Sequence, residues 1–305
     1  MAARRFLSTH PRWVAQFGDP FRPLESDCTV VQFEQPLSDA ELRRAAGLIA
    51  DRPDVELYVH GRAARDLDFL GYFPFLKRLH VALWELENTD GFASVAGLEM
   101  LVFSTTKKTL PLGFLAGLPR LRELFLAGHK KDLGVVSGLT GLTALGLSGV
   151  TLPDLSLLLP LTRLRDLRIL MGATTNLALL AALPALEELF LMRITRLEDL
   201  GVLAEVRGLV KLRLDWMRNV TALPSLAGLT RLDEVILDTM KGLSDLAPVA
   251  AAPNLRRLTI TNMPQLSAES FATLVGHPTL AELWAYTGKS GVNAAVKRML
   301  PAVSR

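Results

Sequence analysis

Apolar residues return to the same phase along most of the chain. Leu164-x-x-Leu167-x-Ile169 is followed by Leu186-x-x-Leu189-x-Leu191 and then by Leu209-x-x-Leu212-x-Leu214, with starts 22 and 23 residues apart. The pattern begins again at Leu76, Leu98, Leu121 and Leu142 upstream and at Leu232, Leu255 and Leu280 downstream, ten units in all. A shorter unit surrounds Leu57, and a further trace lies at 31–33. Self-similarity at such a period marks one supersecondary unit repeated by stacking, because a single unit cannot bury its own apolar face. The pattern predicts one short strand per unit, with positions one, four and six turned into the core. Strand alternation sends positions three, five and seven to the opposite face.

Most of the units are only 21 to 23 residues long, and that length limits how each strand connects to the next. A strand of about five residues leaves room for a turn or two of helix on the way back. The returning segments, such as 111–119 and 177–185, are apolar and punctuated by Pro and Gly. They predict 3₁₀ or single-turn helix. The ends differ. The β-branched run from Cys28 to Phe33 reads as a strand, and Ser38-Asp39-Ala40-Glu41 matches a capping box. The helix it opens carries Leu42, Ala45, Ala46 and Ile49 on one face and stops before Pro53. Ser267 and Gly276 bracket a second expected helix, and 292–303 reads as a closing amphipathic helix interrupted by Pro301. Residues 1–27 read as an arm whose Trp13, Phe17 and Phe21 cover the open end of the first strand, or else dock a partner.

On its LxxLxLxx units the chain resembles leucine-rich-repeat proteins over roughly residues 54–290, and its short period resembles the bacterial class found in internalins. The resemblance implies an α/β fold: a curved solenoid with a parallel concave β-sheet, convex 3₁₀ or short helices, and α-helical terminal caps. The expected division is an N-terminal arm and strand–helix cap over 1–53, a solenoid of about ten or eleven repeats over 54–290, and a C-terminal capping helix over 291–305. The family role it implies is binding, most often to another protein. One departure stands out. The family places Asn or Cys three residues after the last leucine of the strand, where its side chain bonds the turn backbone. Here that position holds Trp84, Thr106, His129, Val150, Gly172, Ile194, Met217, Met240, Met263 and Gly288. The turn amides must find other partners, since buried unpaired amides are costly. The column of methionines reads as core filling.

The face opposite the leucines is the informative one. Position five carries Tyr58, His80, Val102, Phe125, Gly146, Arg168, Phe190, Arg213, Ile236, Thr259 and Trp284. Position seven includes His60, Ser104, Met192, Asp215, Asp238 and Tyr286, and position three is mostly charged. A solvated face should be polar throughout, whereas aromatics and arginines ringed by charge are the composition of a protein-binding hot spot. Phe125, Arg168, Phe190, Arg213, Trp216, Ile236, Trp284 and Tyr286 are therefore the candidate contacts for a protein or peptide partner. Gly146, between Ala144 and Ser148, is expected to open a notch beside Phe125.

Composition narrows the alternatives. With 34 basic and 31 acidic residues the net charge is +3, and the signs are interspersed, which argues against nucleic acid as partner. The pairs Lys107–Lys108 and Lys130–Lys131 could still form a small patch for nucleic acid or an anionic surface. A self-associating structural spacer is the third reading. No apolar run approaches the ~18 residues of a membrane span, and the N-terminus lacks a signal-peptide core. A single cysteine, Cys28, rules out an intrachain disulfide and points to a cytoplasmic monomer, although an exported protein without its leader would read alike. No phosphate loop, nucleophile elbow or HExxH motif occurs, and His60 and His80 lack a metal-site spacing. The expectation is a non-enzymatic scaffold with no metal and no cofactor.

Overall fold

Each LxxLxL stretch folds as predicted. In the rung at Leu164, residues Leu164, Leu167 and Ile169 are fully buried, and the next rungs repeat the arrangement at Leu189, Leu191, Leu212 and Leu214. Burying one such side chain contributes about 1.5–3 kcal/mol, and this gain recurs in every unit. The protein is described by a computed structural model covering residues 14–16, 24 and 26–305. The expected arm with Trp13, Phe17 and Phe21 lies outside the described residues.

The chain forms two compact units, Met1–Gly149 and Val150–Arg305. The first contains β1 (Val14–Gln16), β2 (Val30–Phe33), β3 (Glu56–Gly61), β4 (Arg78–Leu83), β5 (Met100–Phe103), β6 (Glu123–Ala127) and β7 (Ala144–Ser148). Each strand pairs in parallel with the next in sequence. The second contains β8 (Asp166–Leu170), β9 (Glu188–Met192), β10 (Lys211–Asp215), β11 (Glu234–Asp238), β12 (Arg257–Thr261) and β13 (Glu282–Tyr286), again parallel and in order. Most returning segments are 3₁₀ helices, among them Gly113–Gly117, Ala178–Ala182 and Gly201–Glu205, while the return from β10 to β11 holds no helix. So short a path cannot hold a longer helix.

In the first unit, α1 (Asp39–Ile49) starts at the predicted capping box. The Glu41 amide donates to the Ser38 hydroxyl, and the Ser38 amide donates to the Glu41 carboxylate at 2.8 Å. Leu42, Ala45, Ala46 and Ile49 are its buried face. In the second unit a single α-turn, α2 (Ala247–Ala250), replaces one of the 3₁₀ segments. The helix expected over 267–276 is a 3₁₀ helix, Glu269–Leu274, in which Ala268 rather than Ser267 takes the cap position. Its buried anchors, Phe271 and Leu274, are three residues apart, the spacing of a 3₁₀ face. The closing helix α3 spans Ser290–Met299, with Pro301 in the turn beyond it. The chain then pairs in parallel with β13, where the Leu283 amide donates to the Val303 carbonyl at 2.8 Å and the Arg305 amide to the Leu283 carbonyl at 3.0 Å.

The missing asparagine column is replaced by a backbone device at position eight. In the second unit Met171, Arg193, Trp216, Thr239 and Asn262 all lie in the left-handed region, with φ between 51° and 57°. In this conformation each amide turns along the stack and donates to the position-seven carbonyl of the following strand. Met171 reaches Met192 at 2.7 Å, Arg193 reaches Asp215 at 3.0 Å, and Trp216 reaches Asp238 at 2.9 Å. Thr239 and Asn262 continue the ladder to Thr261 and Tyr286. With the turn held by its own backbone, position nine needs no polar side chain. Val150, Ile194, Met217, Met240 and Met263 fill it as core, each no more than 2 % exposed.

Candidate functional site

Parallel register aligns like positions of successive strands into rows. Across the second unit the position-five row reads Phe190, Arg213, Ile236, Thr259, Trp284, and the position-seven row reads Met192, Asp215, Asp238, Thr261, Tyr286. Charges at position three satisfy one another along their own row: Lys211 meets Glu234 at 2.7 Å, and Arg257 lies 3.6 Å from Glu234. What remains for a partner is the middle of the face.

The eight candidates divide. Trp216, Trp284 and Tyr286 are exposed, at 44, 40 and 50 %. Trp284 and Tyr286 stack with ring centroids 6.1 Å apart at the last strand. Trp216 stands on the left-handed turn after β10, with the Arg193 guanidinium 5.9 Å from its ring centre. Ile236 is half-buried. Arg213 lies 4.5 Å over the Phe190 ring while its guanidinium donates to Asp215 Oδ2 from both Nε, at 2.9 Å, and Nη2, at 2.7 Å.

Three expectations need correction. Phe190 is only 7 % exposed, because Arg213 lies across it, so it supports the face from beneath. Arg168 is 6 % exposed and clamps Asp166 through Nε at 3.1 Å and Nη2 at 2.8 Å, so its guanidinium is turned along its own strand. The notch at Gly146 is already filled, in the first unit, by Phe125. A Cβ added at Gly146 would sit 2.8 Å from Phe125 Cε2 and closer still to Cδ2.

Two features escaped the sequence reading. Arg193 reaches Trp216 from position eight, where the leucine spacing carries no sign of the left-handed turn. Asp215 is 3 % exposed, and burial pushes its carboxyl up against the opposing pull of Arg213. Its Oδ1 is buried without a hydrogen-bond partner among the described residues. Lys107, Lys108, Lys130 and Lys131 are exposed on loops of the first unit. No helix among the described residues is long and apolar enough to cross a membrane.

No protein-family model matches the chain, and no curated protein matches it in sequence. Solved structures do. An internalin of Listeria monocytogenes, InlF, superposes with a TM-score of 0.56 at 18 % identity, covering 88 % of this chain and 82 % of that one. A leucine-rich-repeat protein of Leptospira interrogans matches over 93 % of both chains at 17 % identity, with a TM-score of 0.45. The repeat period, the parallel order of the strands within each unit and the likeness to the Listeria internalin agree: this chain has the leucine-rich-repeat fold.

Proposed function

We propose that the chain is a protein-interaction module whose second unit takes a protein or peptide on the face of positions five and seven. The observation that supports this most is the stacked, half-exposed pair Trp284 and Tyr286, with a further exposed aromatic, Trp216, in the same unit. Large aromatics left open to water within a charged surround are where interfaces concentrate their binding energy. Arg213, held flat on Phe190 and tied to Asp215, adds a rigid planar cation that loses little freedom on binding. On this reading Arg213, Trp216, Ile236, Trp284 and Tyr286 touch the partner, while Phe190 shapes the surface beneath. The reading extends to a monomer in a reducing, cytoplasmic setting, since the single cysteine, Cys28, is buried.

The test is selection of peptide ligands from a displayed library, followed by titration against variants. Trp284→Ala and Tyr286→Ala should each weaken the selected peptide about 30-fold, the ~2 kcal/mol of an interface hot spot. Phe125→Ala, in the other unit, should leave it unchanged. Equal affinity for the wild type and for the Trp284 and Tyr286 variants would remove this face from consideration.

A further inference from the structure

Three side chains of the first unit fall on one diagonal of the sheet face: Glu56 at position three of β3, His80 at position five of β4, and Ser104 at position seven after β5. The register sets Tyr58 level with His80 and His80 level with Val102, so each step moves one strand across and two residues along. That step is within reach of an imidazole. His80 Nε2 lies 3.1 Å from Ser104 Oγ, and its Nδ1 lies 3.5 Å from Glu56 Oε1. Hydroxyl, imidazole and carboxylate thus stand in the order and polarity of a nucleophile, its base and the group that orients the base. Among the described units no other such diagonal carries acid, imidazole and hydroxyl together.

The surroundings suit this arrangement. The Tyr58 ring is sandwiched between His60 and His80, with centroids 4.5 and 4.2 Å away, which fixes the plane of the His80 ring. The His80 and Glu56 side chains are 25 and 20 % exposed, covered on most sides yet open to a ligand. Ser104 follows the registered set Val81, Phe103, Leu126, so its lateral neighbours are Ala82 and Ala127, whose small side chains leave Oγ accessible. At Gly128, and from Met171 to Asn262, the residue after position seven donates its amide along the stack, but the Thr105 amide makes no hydrogen bond among the described residues. An amide on the residue after a nucleophile is where an oxyanion is held.

We propose that Ser104, His80 and Glu56 hydrolyse esters with a short apolar acyl group, which rests on Val102, two residues before the serine and on the same face. Ser104 Oγ attacks the carbonyl carbon, His80 Nε2 takes the hydroxyl proton, and the Thr105 amide donates to the oxyanion. Collapse breaks the ester C–O bond, and the alcohol leaves with the proton from His80. Water then attacks the acyl-serine by the same path, releasing the carboxylic acid and restoring the hydroxyl. Glu56 is a positioning residue that orients the His80 ring through Nδ1.

The whole chain is treated with a fluorophosphonate probe and digested for mass mapping, and hydrolysis of p-nitrophenyl butyrate is followed in parallel. The expected adduct is on the peptide containing Ser104. Hydrolysis should fall by about 10²-fold or more in Ser104→Ala and in His80→Phe, which keeps the stack on Tyr58. In Glu56→Gln kcat should fall while KM holds, and Glu56→Asp should recover part of the loss, a pattern that a loss of fold would not produce. No adduct, an adduct at another residue, or hydrolysis unchanged by Ser104→Ala overturns the proposal. Because the adduct is mapped on the wild-type chain, its position does not depend on how the variants fold.

Discussion

Arg168 and Arg213 hold the same repeat position and meet different fates. Each clamps an aspartate on its own strand, Asp166 or Asp215, two residues away and therefore on the same face. The Arg168 pair is buried at both ends, whereas the Arg213 side chain is 38 % exposed. Removing one partner of a buried pair weakens the compensation of the other charge, so Asp166→Ala should cost up to about 3–5 kcal/mol in urea unfolding. Adding Arg168→Met should recover most of that loss, and no recovery would show that the pair is not the cause. His129 carries a pH signature. It stacks on Phe103 with centroids 4.0 Å apart, its Nε2 lies 3.0 Å from the Ser104 carbonyl, and burial holds its pKa below the ordinary value. The unfolded chain therefore binds a proton near pH 6.5 that the folded state resists, and stability should fall as pH drops from 7 to 5. His129→Phe should flatten that slope relative to the wild type, and parallel slopes would exclude His129. Alternation along the strand was enough to put Arg168, Phe190 and Phe125 on the outward face from sequence. Their covering, nearly complete for Arg168 and Phe190 and partial for Phe125, was not legible, because it depends on which neighbour each one folds against: Asp166, Arg213 and Gly146 respectively.

The strand–turn unit was readable almost whole, since leucine spacing dictates the strand and the short period dictates 3₁₀ returns. Its turn was not. The left-handed residue at position eight has no signature in the second unit, where Met171, Arg193, Trp216, Thr239 and Asn262 share the conformation but no chemistry. Glycine marks the same column in the first unit, at Gly61, Gly128 and Gly149. Recurrence in successive rungs makes the strain a structural device of the repeat, so the φ of Trp216 is not by itself a mark of function. Met171 is 49 % exposed and contributes its amide to the ladder. A left-handed β-carbon costs about 1–2 kcal/mol, while glycine's extra freedom in the unfolded chain offsets roughly 0.5–1. Met171→Gly should therefore raise stability by about 0.5–1 kcal/mol, read as a higher urea midpoint. A lower midpoint would mean that the exposed thioether holds the turn.

Each strand within a unit bonds only to its sequence neighbours, so a lost core contact should be felt locally rather than everywhere. Leu258 is fully buried in β12, between β11 and β13. Leu258→Ala should cost about 2–5 kcal/mol, and hydrogen exchange should report it as faster exchange concentrated in β11–β13. Amides of β3–β5, in the other unit, should keep their protection. If protection fell equally in both units, the chain would unfold as one cooperative body and the nearest-neighbour account would fail. The outcome bears on function as well. Trp284 and Tyr286 belong to the same rungs, and a binding face assembled rung by rung loses its shape when its own rungs loosen. Peptide affinity should therefore track exchange at β11–β13 and stay indifferent to a comparable truncation at Leu79, fully buried in β4.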